Sequence, residues 1–128
     1  MRLKGTPQIP KSLSIDNAEK EILSFVNPRT KHEIELNFNS LKRVQLTLRA
    51  VNHPLRKEML QIIEQRKKVT VTELYTRLRI EQSLASQQLS LLRKAGTLET
   101  TRDGKFIYYS VNAKRLSEIA RFVEALQQ

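Results

Sequence analysis

The chain has no cysteine among its 128 residues. That removes disulfides, thiolate metal sites and cysteine redox chemistry together, and it accords with a reducing, cytoplasmic setting. Glycine and proline are scarce, at three and four. What fills their place is rich in Leu, Gln, Glu, Lys and Arg, a helix-favouring mixture. No apolar run approaches the roughly 18 residues of a membrane span, so no membrane partner is expected. The N-terminal stretch MRLKGTPQIPKS is basic at its start but has no apolar run behind it, which speaks against a signal peptide. Catalytic signatures are missing too: no nucleophile with a base in motif context, no Gly-rich phosphate loop and no paired carboxylates. A non-enzyme without a cofactor is expected.

What is present is positive charge. Lys and Arg number 23 against 13 Asp and Glu, a net charge of +10. Residues 1–39 hold six basic and five acidic side chains, whereas residues 40–128 hold seventeen and eight. A basic domain of this kind suits a polyanion, for which DNA, RNA and an anionic membrane all qualify. With 39% apolar residues the chain can build one modest core.

The spacing divides the chain into an N-terminal extension, residues 1–39, and a main domain, residues 40–128. In the extension, 1–13 reads as a loose arm. Ile15, Ala18, Ile22, Phe25 and Val26 have helical spacing, with Asp16 and Glu19 as a capping box and Pro28 as the stop. Ile34, Leu36 and Phe38 alternate with polar residues and predict a short strand over 31–38 with no evident partner. In the main domain, Leu41, Val44, Leu48 and Val51 form one stripe and predict a helix over 40–51. Pro54 opens the next helix, in which Leu55, Met59, Ile62 and Ile63 face inward. Val69 can supply a short strand.

The next segment is the informative one. Thr70 and Glu73 make a capping box before a two-turn helix with Val71, Leu74 and Leu78 inward. Arg79-Ile80-Glu81 is a link of helix-turn-helix length. A second helix from Gln82 turns Ala85, Leu89 and Leu92 inward and ends at Gly96, a left-handed cap. Two strand-like runs, Leu98 to Arg102 and Lys105 to Val111, flank Asp103-Gly104, a short-range hairpin signal. Asn112 caps a last helix with Leu116, Ile119, Phe122, Val123 and Leu126 along one side. The order predicts a mainly α fold with a small β-hairpin, a winged helix-turn-helix carrying an N-terminal extension.

The outer face of the second helix of the pair shows Gln82, Ser83, Ser86, Gln87, Ser90, Arg93 and Lys94, with no acid from Gln82 to Lys94. A solvated helix face more often mixes Glu with Lys. Small uncharged polar side chains followed by a delayed cation suit entry into a major groove, where Gln can pair with adenine and Ser with donor or acceptor edges. Arg102 and Lys105 flank the hairpin tip, as backbone or minor-groove contacts would. Thr72, Arg77 and Arg79 are candidate phosphate contacts. The rival reading, a winged-helix RNA-binding or protein-docking module without operator specificity, would expose apolar or aromatic anchors instead.

Several stretches resemble the ArsR-type (ArsR/SmtB) winged-helix repressors: Val51-Asn52-His53-Pro54-Leu55-Arg56, Val71-Thr72-Glu73-Leu74, the run from Ala85 to Gly96, Arg102-Asp103-Gly104-Lys105, and Tyr108-Tyr109-Ser110-Val111. The resemblance implies a homodimer whose first and last main-domain helices pack across a two-fold axis, through Leu41, Val44, Leu48, Leu116, Ile119, Phe122 and Val123. It also implies repression by binding an inverted repeat in double-stranded DNA. Three departures stand out. The usual Ser-x-His-Leu is here Ser86-Gln87-Gln88-Leu89. Glu81 stands where a Ser or Asp cap is usual. The metal-sensing positions carry no ligands: Thr70-Val71-Thr72 replaces a Cys-x-Cys, and the last helix has neither His nor Asp, only Glu118 and Glu124, six apart. His32 and His53 are isolated imidazoles, a poor first-row metal site. No metal is expected, a site assembled between subunits from His32, His53 and Glu residues being the one route left open. The inducing signal has no candidate.

Overall fold

A computed structural model describes residues 21–127. They fall into two compact units, divided between Val44 and Gln45 inside the first helix.

The first unit corrects an expectation. Ile22–Val26 is not helical but a strand, β1, paired antiparallel with β2, Glu33–Asn37; residues 15–20 of the expected helix lie outside the described residues. Ile22, Phe25 and Val26 fit a helical period, but Leu23 and Phe25 also fit a period of two, and cross-strand partners decide between them. Those partners are Leu36 for Leu23 and Ile34 for Phe25. The connecting turn is held by Asn27, whose Oδ1 accepts from the backbone of Arg29 at 2.8 Å and Thr30 at 3.3 Å, with Lys31 in the left-handed region at φ 65. Pro28 therefore belongs to a turn and stops no helix. Phe38 begins α1, Phe38–Val51, where the alternation predicts the end of a strand.

In the second unit the elements are α2 (Pro54–Arg66), α3 (Val71–Leu78), α4 (Gln82–Lys94), β3 (Leu98–Asp103), β4 (Phe106–Val111) and α5 (Ala113–Leu126). The caps at Thr70 and Asn112 are those the sequence suggests, and a third, at His53, is not foreseen in it. His53 precedes Pro54 in extended conformation, and its Nδ1 accepts from Leu55 N at 3.2 Å. The Thr70–Glu73 box closes in both directions, and Asn112 Oδ1 accepts from Arg115 N at 3.1 Å. Each satisfies a backbone donor that the helix start would otherwise leave unpaired.

Met59, Leu60, Ile62 and Ile63 of α2, Val69, Leu74 of α3, Leu89 and Leu92 of α4 and Leu98 of β3 make the core, with Val51, Leu55, Val71, Leu78, Tyr109 and Val111 against it. Val69 pairs with Tyr109 as an isolated bridge, its N–H donating at 3.0 Å and its carbonyl accepting at 2.7 Å. This binds the wing to the helix-turn-helix. Thr97 is a fully buried polar residue: its hydroxyl donates to Leu92 O at 2.7 Å and its carbonyl accepts from Asn112 N at 2.8 Å. One residue thus satisfies the end of α4 and the start of α5. By contrast, α1 and α5 bury no residue at all. No helix among the described residues is long and apolar enough to cross a membrane.

The wing register differs by one residue from the expected tip. Asp103 pairs with Phe106, so the two-residue loop is Gly104-Lys105 rather than Asp103-Gly104. Buried Leu98 takes Val111 as its partner, and that choice sets the ladder. Gly104 then occupies the first loop position with φ +64, where a positive φ is needed and a side chain would be strained.

Candidate nucleic-acid interface

Three buried side chains, Ala85, Leu89 and Leu92, fix which face of α4 is outward. On that face Gln82, Ser83, Ser86, Gln87, Ser90 and Lys94 are all exposed. Because α4 holds no Asp or Glu, nothing on it repels an anion, and its first turn adds the positive end of the helix dipole. The link that sets its angle is short. Arg79 adopts the left-handed conformation, φ 57 and ψ 45, and its N–H donates back to Thr76 and Tyr75 carbonyls. Its side chain is exposed.

At the wing, Lys105 occupies the loop itself, its Nζ 5.7 Å from the centre of the Phe106 ring. Arg102 lies two residues before the loop, its Nε donating to Gly104 O at 3.3 Å. Both are exposed. The cations therefore project from the tip and from the strand beside it, not from either side of the turn.

Thr72 is exposed on α3 and lines a hollow of about 400 Å³ together with Arg66, Val69, Glu73, Thr76 and Arg77. Arg66 and Arg77 also border a shallower depression with Lys68 and Gln65. Lys68 Nζ sits 4.7 Å from the centre of the Tyr108 ring on β4. In the sequence, Arg66 and Lys68 read only as the polar end of a helix and carry no assignment. The Val69–Tyr109 bridge, a long-range pairing, is what brings that run beside the wing and Arg77. Glu73 is the acid in this group. The backbone N–H of Thr70, donating to Oε1 at 2.8 Å, holds its carboxyl below the usual range; partial desolvation opposes this, and the Thr70 hydroxyl and Arg66, at 3.6 Å, assist.

Gln88, where the ArsR-type pattern has a histidine, is turned away from the outer face. Its Oε1 accepts from Arg56 Nη1 at 2.6 Å, while Arg56 Nε donates to Ala50 O in the last turn of α1. This contact spans 32 residues and has no local signal. Two further residues on α4 have no signal in the sequence: Leu84 and Leu91, on the same side as Gln88, are 36% and 40% exposed.

Of the seven residues expected at a dimer surface, five belong to the second unit. Leu48 lines a hollow of about 570 Å³ with Val51, Ile119 and Val123. Leu116 faces α2 in another, beside Leu60 and Gln61, and Phe122 is half-buried. Leu41 and Val44 belong to the first unit and are exposed. No three His, Asp or Glu side chains among the described residues come together to hold a metal ion.

Residues 53–100 match the family described as bacterial regulatory protein, arsR family. The biofilm growth-associated repressor of Agrobacterium fabrum is 40% identical over 85 residues, covering 65% of this chain and 68% of that protein. The transcriptional repressor PagR of Bacillus anthracis is 30% identical over 96 residues, covering 75% and 94%. Its crystal structure superposes with a TM-score of 0.56 at 29% identity over 68% of this chain and 99% of that one. A homodimeric winged helix-turn-helix DNA-binding domain from Mycobacterium bovis gives a TM-score of 0.58 over 70% and 82%, at 21% identity, a likeness of fold.

Proposed function

This chain belongs to the arsR family of bacterial regulatory proteins, a family of DNA-binding transcriptional regulators rather than enzymes, and we propose that it is a homodimeric repressor that binds an inverted repeat in double-stranded DNA in the cytoplasm. The observation that carries this reading is the outer face of α4, polar, exposed and free of acid over its whole length. Ser83, Ser86 and Gln87 contact base edges in the major groove, flanked by Gln82 and Ser90, with Lys94 on phosphate. Arg102 and Lys105 hold the wing on the backbone. Thr72 and Arg79, joined by Arg66, Lys68 and Arg77, add phosphate contacts beside it. The dimer forms through α1 and α5, the two helices that hold no fully buried residue in the protomer; Leu48, Leu116, Ile119, Phe122 and Val123 lie there, with Leu41 and Val44 further along α1. The named activities of the two relatives support repression.

A protein-docking module is the second reading, and the exposed pair Leu84 and Leu91 favours it. Binding measured by fluorescence anisotropy on the DNA upstream of the gene, against random DNA of equal length, separates the two. A sequence preference with a log-affinity slope of about 0.9 per phosphate contact in log salt supports the repressor. Ser86→Ala and Gln87→Ala should then reduce that preference while keeping most of the salt slope. Equal affinity for every duplex would overturn the operator reading.

A further inference from the structure

Among the described residues the N-terminal hairpin has a strand edge with no partner, and its pattern is self-complementary. Among the described residues β1 and β2 form a sheet of two strands only, a size that is marginal in water. None of residues 21–44 is buried. One face of the hairpin is wholly apolar, with Leu23 opposite Leu36 and Phe25 opposite Ile34; Leu23 and Phe25 are each 47% exposed.

The hydrogen-bond pattern shows which backbone groups lie outside the β1–β2 ladder. Phe38 N donates to Glu21 O at 2.6 Å and Asn27 N to His32 O at 2.9 Å, at the two ends of the ladder. Since hydrogen-bonded pairs alternate along an antiparallel ladder, Leu23 and Phe25 point their N–H and C=O groups at β2. Ile22, Ser24 and Val26 point theirs at the open edge. On β2 the groups facing its own open edge are those of Glu33, Glu35 and Asn37.

We propose that β1 pairs antiparallel with β1 of a second copy of this chain, centred on Ser24, to give a four-stranded sheet. This rests on the homodimer proposed above. The outward groups of residues 22, 24 and 26 are symmetric about Ser24, so a two-fold axis there pairs Ile22 with Val26 of the second copy and Ser24 with its own counterpart. Leu23 then opposes Phe25 of the second copy as a closely spaced pair on the apolar face. That face becomes one continuous surface from Leu23, Phe25, Ile34 and Leu36 of both chains. β1 carries no charge, whereas β2 paired with itself in the same way sets Glu35 against Glu35. Charged edge strands resist pairing; the uncharged edge is the one left for a second copy.

Ser24→Cys tests this directly, because the chain has no other cysteine. A hydrogen-bonded antiparallel pair places the two Cα atoms about 5.5 Å apart, within the range a disulfide spans. Mild oxidation should convert this variant to a covalent dimer, while Arg29→Cys, in the hairpin turn, stays largely uncrosslinked. Ser24→Pro removes a donor from the open edge and none from the β1–β2 ladder, and should raise the dimer dissociation constant about tenfold. Sedimentation of the unmodified protein separates the two ways to fail. A dimer in which the Ser24→Cys variant crosslinks no faster than the Arg29→Cys variant overturns the strand pairing and leaves the homodimer standing. A monomer at tens of micromolar overturns both.

Discussion

Replacing Glu81 by aspartate, serine or alanine separates two effects that act on the same end of α4. Glu81 is the residue before the helix: it is extended, φ −74 and ψ 149, its carbonyl accepts from Ala85 N at 3.0 Å, and its side chain makes no cap hydrogen bond. The carboxylate is one methylene too long to fold back on the first-turn N–H groups. A side-chain acceptor of the right length contributes about 1 kcal/mol. The negative charge beside the helix start is separately favourable by roughly 0.5 kcal/mol. Aspartate gains the cap and keeps the charge, so Glu81→Asp should stabilise by about 1 kcal/mol. Serine gains the cap and loses the charge, for a net of about 0.5 kcal/mol. Alanine loses the charge and gains nothing, costing about 0.5 kcal/mol. At roughly 4–8 °C per kcal/mol in a domain of this size, melting temperatures should fall in the order Asp, Ser, Glu, Ala. DNA affinity should follow another order, because only charge matters to phosphate. At about 8 Å in water one charge pair is worth roughly 0.5 kcal/mol, and physiological salt reduces it. Ser and Ala should therefore bind up to about twofold tighter than Glu and Asp, a difference that fades at high salt. Equal melting temperatures for Asp and Ala would refute the capping argument, and a single order in both assays would refute the separation.

Gly96→Ala should cost about 1–2 kcal/mol, since φ is +80 there and a Cβ would stand 3.1 Å from Arg115 Nε; thermal unfolding checks it. Thr97→Val should cost only about 1 kcal/mol by denaturant titration, because Leu92 O keeps the Thr97 N–H at 3.1 Å after the hydroxyl is gone. Glu73 has a lowered pKa in the folded chain, so its contribution is present above the unfolded carboxylate range and is lost as pH falls through the folded value. Glu73→Gln should accordingly destabilise at pH 7 and matter progressively less as the pH falls through the folded value, as read from urea midpoints. Arg102→Ala with Lys105→Ala should weaken binding to all duplexes alike and flatten the log-salt slope by about 0.9 for each phosphate no longer neutralised; an unchanged slope in anisotropy titrations would count against the wing's role.

The helices from α2 to α5 were legible because their apolar residues repeat on one face and their ends carry short-range caps. Thr70 with Glu73, Asn112 and Gly96 act within a few residues of themselves, so the linear order of residues is enough. The hairpin at the N-terminus was not, since Ile22, Phe25 and Val26 satisfy two periods and only a partner strand chooses between them. The slip at the wing tip has the same origin: Asp103-Gly104 is a good local turn, but the pairing of buried Leu98 with Val111 outweighs it. Of the α4 surface, the outward polar face was readable from helical geometry, whereas the orientation of Gln88 depended on Arg56, far away in the chain.

Arg56 also limits how that surface can change. One guanidinium grips the final turn of α1 and the middle of α4, through Ala50 O and Gln88. A guanidinium is planar and rigid, so it passes displacement on instead of absorbing it. The pitch of α4 is therefore geared to the last turn of α1, and a shift imposed at one is felt at the other without any rearrangement of the core between them. Shortening this link, as in Arg56→Lys, would let the two helices idle independently while leaving every residue on the outer face of α4 in place.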